Sequence, residues 1–286
     1  MRLPMRPARL VAPVLLGVLA CLAVPAAAAP ADPLAGWDAL VGKALADWKT
    51  PGVSMVIVRG NDVLLLKGYG LRDVEKNLPV TPKTLFAIGS ATKAFTTFVM
   101  GTLADEGKLD WNAPVSSYIP GFKLKDPVAS ERLTPTDLVT HRSGLPRHDA
   151  LWYNATLSRK EMVERLRYLE PSKDFRTDFQ YNNAMFLTAG YLVEQVTGTT
   201  WEEAVRARVF VPLGMTGANF SVLDSQKAPD FALPYEERDD KVQRMEFRNI
   251  TNIGPAGSIN ASVSDLAPWL KVHVNGGALD GQRIVS

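Results

Sequence analysis

The stretch that most constrains the fold is residues 90–105, whose helical pattern is apolar on nearly every face, as Phe95 and Val99 illustrate. A helix of this kind must be buried in a core. Ser90 and Lys93 nevertheless lie at its start, and positions three residues apart share one face of a helix. Because burying an unpaired ammonium group is costly, this lysine needs a local partner.

The spacing of Ser90 and Lys93 is that of a nucleophile beside its base. At a helix start, the N–H of Ser90 would be a free donor pointing at whatever the hydroxyl attacks. The positive end of the helix dipole and burial both favour the neutral amine of Lys93, which can accept a proton. The alternative is a capping serine followed by a lysine that extends to solvent. Spacing alone leaves both open.

A second polar pair, Tyr181 and Asn183, lies between a predicted loop at residues 171–181 and a predicted helix at residues 183–196. A phenol near a lysine can have its pKa lowered and relay a proton. An amide two residues later can hold a substrate carbonyl and bridge to the lysine. The alternative is a tyrosine packed at a helix start, with asparagine as the cap.

The two motifs together resemble the serine β-lactamase-like family, which includes class C β-lactamases, penicillin-binding peptidases and related esterases. The resemblance covers about residues 40–285. The tyrosine-type second motif is similar to the class C and peptidase branch, whereas the class A branch has Ser-Asp-Asn there. Further segments share the family's appearance, namely residues 107–110, 138–146, 196–198, 212–216 and 255–258.

The resemblance implies an α+β, β-lactamase/transpeptidase-like fold, with an antiparallel sheet flanked by helices and an all-helical subdomain. It implies that Ser90 is the acylated nucleophile and Lys93 its base or proton shuttle. Tyr181 would protonate the leaving group, and Asn183 would hold the substrate. The expected reaction is hydrolysis through an acyl-enzyme, without metal or cofactor. Its substrate would be a β-lactam, a D-amino-acid peptide or a small ester.

The chain departs from the family in its third motif, Lys-Thr-Gly or His-x-Gly on a sheet strand, which has no match after Tyr181. Residues 142–144 imitate it, but they precede Tyr181 and lie in a shared loop. We therefore expect residues 30–286 to be the N-terminal portion of a truncated hydrolase domain whose C-terminal strands are missing. The competing hypothesis is a non-catalytic, peptide-binding fragment without this motif.

Residues 1–29 have the pattern of a secretory signal peptide. Three arginines precede an apolar core at residues 10–24, and an alanine run follows. The apolar core is shorter than the roughly 20 residues of a membrane span, which disfavours an uncleaved anchor. A lipid anchor at Cys21 is disfavoured because Leu19 fits the usual lipobox poorly. The expected location is periplasmic or secreted, with no membrane span after cleavage.

Composition narrows the function classes. The 32 Lys and Arg residues against 30 Asp and Glu residues give a net charge of +2, and removing the three leader arginines leaves 29 against 30, or −1. No basic field therefore favours nucleic acid. Cys21 is the single cysteine, so the mature chain has no thiol nucleophile. A small-molecule or peptide substrate is the expected partner, and the oligomeric state stays open.

Local signals predict several other elements. We expect a helix at residues 35–47 and a β-hairpin at residues 53–59 and 63–69. Residues 213–256 carry few strong signals and are predicted to be irregular. A last helix is expected to open at Ser264. Three further helices are predicted from residues that suit a capping box, namely Thr134 with Asp137, Ser158 with Glu161, and Thr200 with Glu203.

Overall fold

A β-hairpin near the N-terminus begins the main sheet. In the computed structural model, which describes residues 32–286, strand β1 (Gly52–Arg59) pairs antiparallel with β2 (Asp62–Asp73). The register runs from Gly52 opposite Gly70 to Arg59 opposite Asp62. A short strand β3 (Leu78–Pro79) pairs with the other edge of β2. The hairpin predicted from β-branched runs around a Gly-Asn turn is confirmed.

Six further short strands follow, and all of them pair antiparallel. Strand β4 pairs with β7, β5 with β6, and β8 with β9; their bounds are β4 Phe86–Ala87, β5 Tyr235–Arg238, β6 Lys241–Arg244, β7 Asn260–Ala261, β8 Ala278–Leu279 and β9 Gln282–Arg283. Within residues 32–286 the sheet that contains β1 therefore has three strands. The expectation that further strands complete it stays a prediction.

Most of the described chain after β4 is helical. Residues 32–286 contain ten α-helices: α1 Trp37–Asp47, α2 Thr92–Asp105, α3 Pro127–Arg132, α4 Pro135–Val139, α5 Arg159–Arg165, α6 Asn183–Thr197, α7 Trp201–Val205, α8 Val222–Ser225, α9 Gly254–Gly257 and α10 Val263–Val274. Helix α7 continues into a π-helical turn at Arg206–Phe210.

Helix α2 is the centre of the core, as its apolar pattern predicts. Phe95, Val99 and Leu103 are at most 1% exposed. One side of α2 packs against α6, α7 and α9. On another side, Phe95 stacks on Trp269 of α10 with 3.9 Å between ring centres, and α10 itself packs against β1 and β2. Helix α10 thus lies between the sheet and the central helix.

Side-chain caps set most of the predicted helix starts. The capping boxes of Thr134 with Asp137, Ser158 with Glu161, and Thr200 with Glu203 are all present. In each box the hydroxyl accepts the N–H three residues on, and the acid accepts the cap's own N–H. Helix α10 starts earlier than predicted, because Ser262 forms the box with Asp265.

The prediction of an irregular segment at residues 213–256 was wrong in part. Helices α8 and α9 and the hairpin of β5 and β6 all lie there. These elements have four residues each, which is too short for a hydrophobic period to show in the sequence.

The predicted leader at residues 1–29, including Cys21, lies outside the described residues. Residues 38–286 form one compact unit. Among the helices of residues 32–286, none has the length and apolar character needed to cross a membrane.

Candidate active site

Ser90 lies in a single 3-10 turn, Gly89–Ala91, between β4 and α2. The turn starts at Gly89, whose φ of +52° is in the left-handed region that favours glycine. The pairing of β4 with β7 holds this turn, and the Ile88 N–H continues the pairing by donating to the Ile259 carbonyl at 3.0 Å. Helix α2 itself begins at Thr92. The expectation that Ser90 opens the α-helix is therefore corrected by two residues.

Lys93 is buried and fully engaged. Its side chain extends from the first turn of α2, and the residue is 7% exposed. The Nζ atom lies 3.0 Å from Ser90 Oγ, 2.9 Å from Asn183 Oδ1 and 2.6 Å from the Ala256 carbonyl oxygen. The alternative of a lysine extending to solvent is wrong.

The second motif completes the cluster. The Tyr181 hydroxyl lies 2.5 Å from Ser90 Oγ, so both groups of the predicted nucleophile and acid are in hydrogen-bond contact. Asn182, not its neighbours, caps α6 by accepting the Met185 N–H at 3.0 Å. This cap fixes the start of α6, so Tyr181 immediately precedes the cap and Asn183 immediately follows it. Both side chains reach the cluster.

The fourth partner of the cluster, the Ala256 carbonyl, was not identified from the sequence. It belongs to α9, which packs against α6 and α2. The preceding carbonyl of Pro255 accepts from Thr96 Oγ1 at 2.7 Å, and Thr96 in turn accepts from Trp201 Nε1 at 3.1 Å. A backbone acceptor has no residue signature, so only the packing of α9 could reveal it.

His141 packs against the ring of Tyr181 and is not a reactive histidine of a catalytic triad. Its ring centre lies 4.5 Å from that of Tyr181, and Nδ1 accepts the Asn182 N–H at 3.1 Å. Burial and the charge of Lys93 lower the pKa of His141 to about 4. The imidazole is therefore neutral at pH 7.

The environment of Lys93 favours the neutral amine. Burial is the largest influence and lowers the pKa of Lys93, and the nearby Arg147 charge lowers it further. Contacts with Tyr181 and the charge of Asp149 act in the opposite direction, and the net shift is downward. The argument from burial made on the sequence thus has a geometric basis.

The pKa of Tyr181 is also below its usual value. Burial raises it, but hydrogen bonding to Lys93 and Ser90 and the charges of Lys93 and Arg147 outweigh burial. Lys93 therefore holds its proton less tightly than a free lysine does, and Tyr181 is a stronger acid than a free tyrosine. Both shifts favour a neutral amine and a more easily ionised phenol beside Ser90, which suits proton transfer at its hydroxyl.

The geometry therefore has the components of nucleophilic catalysis. A hydroxyl is in contact with two groups that can exchange its proton, and an amide is aligned on the far side of the amine. Among the described residues these four side chains come from two segments that are 91 positions apart, as the Ser90–Tyr181 contact shows.

Comparison with known proteins identifies the family of this chain. A family model described as Beta-lactamase matches residues 37–286. The chain belongs to the beta-lactamase family. The resemblance inferred from the motifs is confirmed, and with it the β-lactamase/transpeptidase-like fold.

Two solved structures of the beta-lactamase fold illustrate the likeness. The octameric penicillin-binding protein homologue from Pyrococcus abyssi has a TM-score of 0.76 and 28% identity, over 86% of this chain and 57% of that one. FmtA from Staphylococcus aureus has a TM-score of 0.67 and 25% identity, over 81% and 64% of the two chains.

Curated relatives of this family member include hydrolases. The unguisins hydrolase ungD' of Aspergillus campestris is 33% identical over 242 residues, which are 80% of this chain and 45% of the relative. Protein flp of Staphylococcus aureus is 29% identical over 244 residues, or 83% and 48% of the two chains. The chain spans about half the length of the curated relatives it matches.

Proposed function

We propose that this protein is a serine hydrolase that works through an acyl-enzyme on Ser90. The observation that carries the proposal is the position of Ser90 Oγ, within 3.0 Å of both the Tyr181 hydroxyl and the buried Lys93 amine. A serine hydroxyl is a weak nucleophile until a base takes its proton, and these two groups are the bases at hand.

In the proposed reaction, Ser90 Oγ attacks an acyl carbonyl and its proton passes to the Lys93–Tyr181 pair. The bond from the carbonyl carbon to the leaving group then breaks, and the Tyr181 hydroxyl returns the proton to that group. A water molecule attacks the resulting ester, which releases the acid and restores the Ser90 hydroxyl. In this reaction Asn183, whose Oδ1 accepts from Lys93 Nζ at 2.9 Å, orients the substrate.

The substrate class in this proposal is a β-lactam, a D-amino-acid peptide or a small ester. Support comes from the family match, from a relative that is named as a hydrolase, and from a structural neighbour described as a penicillin-binding protein homologue. We also propose that the protein acts in the periplasm or is secreted, on the pattern of residues 1–29.

Covalent labelling tests the proposal. We expect a fluorophosphonate or a penicillin probe to modify Ser90, detected by mass spectrometry of the peptides. Ser90→Ala should abolish labelling, whereas Ser116→Ala, at an exposed serine, should retain it. A folded protein that no probe of either type modifies would refute the hydrolase proposal. Reversible binding of the same probes without modification would favour the competing peptide-binding hypothesis.

The role of Lys93 needs its own variants. Lys93→Ala should slow acylation by about 10²–10⁴-fold, the usual contribution of a general base. Lys93→Arg keeps the positive charge, but a guanidinium does not give up its proton at working pH. We therefore expect an equally large loss in both variants. Recovery of the rate in Lys93→Arg would mean that Lys93 acts through its charge and not as a base.

A further inference from the structure

An ion pair lies directly beside the Ser90–Lys93–Tyr181 cluster and has no place in the motifs. Arg147 Nε donates to Asp149 Oδ2 at 2.7 Å. The guanidinium carbon of Arg147 lies 5.0 Å from the ring centre of Tyr181. Asp149 Oδ1 accepts from Asn183 Nδ2 at 3.3 Å and from Trp152 Nε1 at 2.9 Å. Each member of the pair thus touches one residue of the second motif.

We propose that Arg147 and Asp149 are positioning residues of this site. Asp149 fixes the orientation of the Asn183 amide, and Arg147 holds the Tyr181 ring while placing a positive charge beside Lys93. This inference rests on the proposed acylation of Ser90. It assigns a function to the loop at residues 141–149, which otherwise only supports the second motif.

The orientation argument concerns the two ends of the Asn183 amide. One end is an acceptor and the other a donor, and a flip would exchange them. A carboxylate only accepts, so Asp149 draws the NH₂ end of Asn183 toward itself. The oxygen end is then directed at Lys93 Nζ, where the distance is 2.9 Å. Trp152 Nε1 in turn holds the Asp149 carboxylate in place.

The Tyr181 argument concerns contact and charge. A guanidinium over an aromatic face is attracted by the ring. The hydrogen bond from Arg147 Nε to Asp149 keeps the guanidinium over the ring of Tyr181. Its charge favours the ionised phenol of Tyr181 and disfavours the ionised amine of Lys93. The side chain of Arg147 is 58% exposed, so solvent screens this effect and keeps it moderate.

The other neighbours of Lys93 are uncharged at pH 7, so Arg147 and Asp149 are the charges whose removal can change its pKa. From α9 the amine faces the uncharged carbonyl of Ala256, and from α6 it faces the ring of Phe186 at 5.4 Å. His141 is neutral at pH 7 because burial holds its pKa at about 4. Apart from Tyr181, the charged groups that act on Lys93 are therefore Arg147 and Asp149, with opposite signs.

The test is the pH dependence of Ser90 acylation, measured as the rate of probe labelling. Arg147→Gln removes a positive charge, so the acid limb of the profile should move up by about 0.5–1 pH unit. Asp149→Asn keeps a hydrogen-bond acceptor for Asn183 but removes the negative charge. Its acid limb should move in the opposite direction, to lower pH.

Matched variants separate this role from a structural one. Arg147→Lys retains the charge, so the acid limb should stay close to its position in the unsubstituted protein, although the planar contact with Tyr181 is lost. Arg165→Gln, the same substitution at an exposed position of α5, should leave the profile unchanged. Thermal unfolding of each variant shows whether it is folded at the assay pH.

Opposite shifts in Arg147→Gln and Asp149→Asn support the inference, since a purely structural role would lower the rate at every pH without moving the limb. Unshifted profiles in folded, labelled variants overturn it and leave the proposed function intact. If the unsubstituted protein is not labelled at Ser90, the proposed function itself fails. The two failures are therefore distinguishable.

Discussion

Replacement of Gly190 by alanine tests whether the packing of α6 on α9 positions the carbonyl that Lys93 uses. A Cβ atom built on Gly190 would lie 2.1 Å from Pro255 Cγ and 2.5 Å from Pro255 Cβ. It would also lie 3.4 Å from Trp201 Cδ1, an ordinary contact. The conflict is therefore with one residue of α9, which is next to Ala256.

The size of the effect follows from these distances. Ordinary contact requires the separation from Pro255 Cγ to grow from 2.1 Å to about 3.4 Å. The ring of a proline is tied to its backbone, so α9 must move with it. A shift of more than about 1 Å takes the Ala256 oxygen, now 2.6 Å from Lys93 Nζ, out of good hydrogen-bond range.

Two energy terms oppose each other in the stability of Gly190→Ala. Overpacking a core position costs about 1–3 kcal/mol. Alanine in a helix interior recovers about 0.5–1 kcal/mol relative to glycine. We expect a net loss of about 1–2 kcal/mol, which lowers Tm by a few degrees for a protein of this size. A hydrogen bond between uncharged groups, here the neutral Lys93 amine and the Ala256 carbonyl, is worth about 0.5–1.5 kcal/mol, so its loss should slow acylation by up to about tenfold.

Thermal unfolding and probe labelling measure the two effects, and Gly42→Ala is the matched control. Gly42 lies in α1, and a Cβ there would meet nothing within 4 Å. Its substitution should leave Tm unchanged or raise it, with normal labelling. If Gly190→Ala keeps both the Tm and the labelling rate of the unsubstituted protein, α9 does not position the Lys93 acceptor by this contact.

Two further predictions concern buried titratable groups in α4 and in the turn that follows it. Burial raises the pKa of Asp137, but hydrogen bonds from Arg176 and Thr134 and the charge of Arg176 together outweigh burial and hold the pKa below its usual value of 3.8. The stability that the ionised Asp137 adds is therefore present above pH 3.8 and is lost as the pH falls through the lowered pKa. Asp137→Asn should lower Tm at pH 7 and flatten the acid side of the Tm–pH curve, and an unchanged curve would contradict this. His141 has a folded pKa of about 4, below its unfolded value of 6.5, so the native state loses up to about 3 kcal/mol as the pH falls from 6.5 to 4. His141→Asn retains an acceptor and tolerates the φ of +58°, and its Tm should depend less on pH in this window; an equally steep dependence would show that His141 is not the group responsible.

Much of the fold could be predicted because the signals are local. The capping boxes at Thr134, Ser158 and Thr200 each involve groups three residues apart, so sequence spacing and spatial distance coincide. The same holds for the hairpin and for the buried helix α2. The short elements within residues 213–256 lack such signals, because four residues are too few for a hydrophobic period to show in the sequence.

The candidate site divides along the same line. The sequence by itself determined that a serine and a lysine lie three residues apart at the start of a buried helix, and it indicated that Tyr181 and Asn183 belong with them. Only the tertiary structure decided that Lys93 is buried on the Ala256 carbonyl, and that Arg147 and Asp149 flank the second motif. The physical reason is that backbone acceptors and long-range charges act through space. Their effect depends on distances that arise only when α2, α6 and α9 pack together.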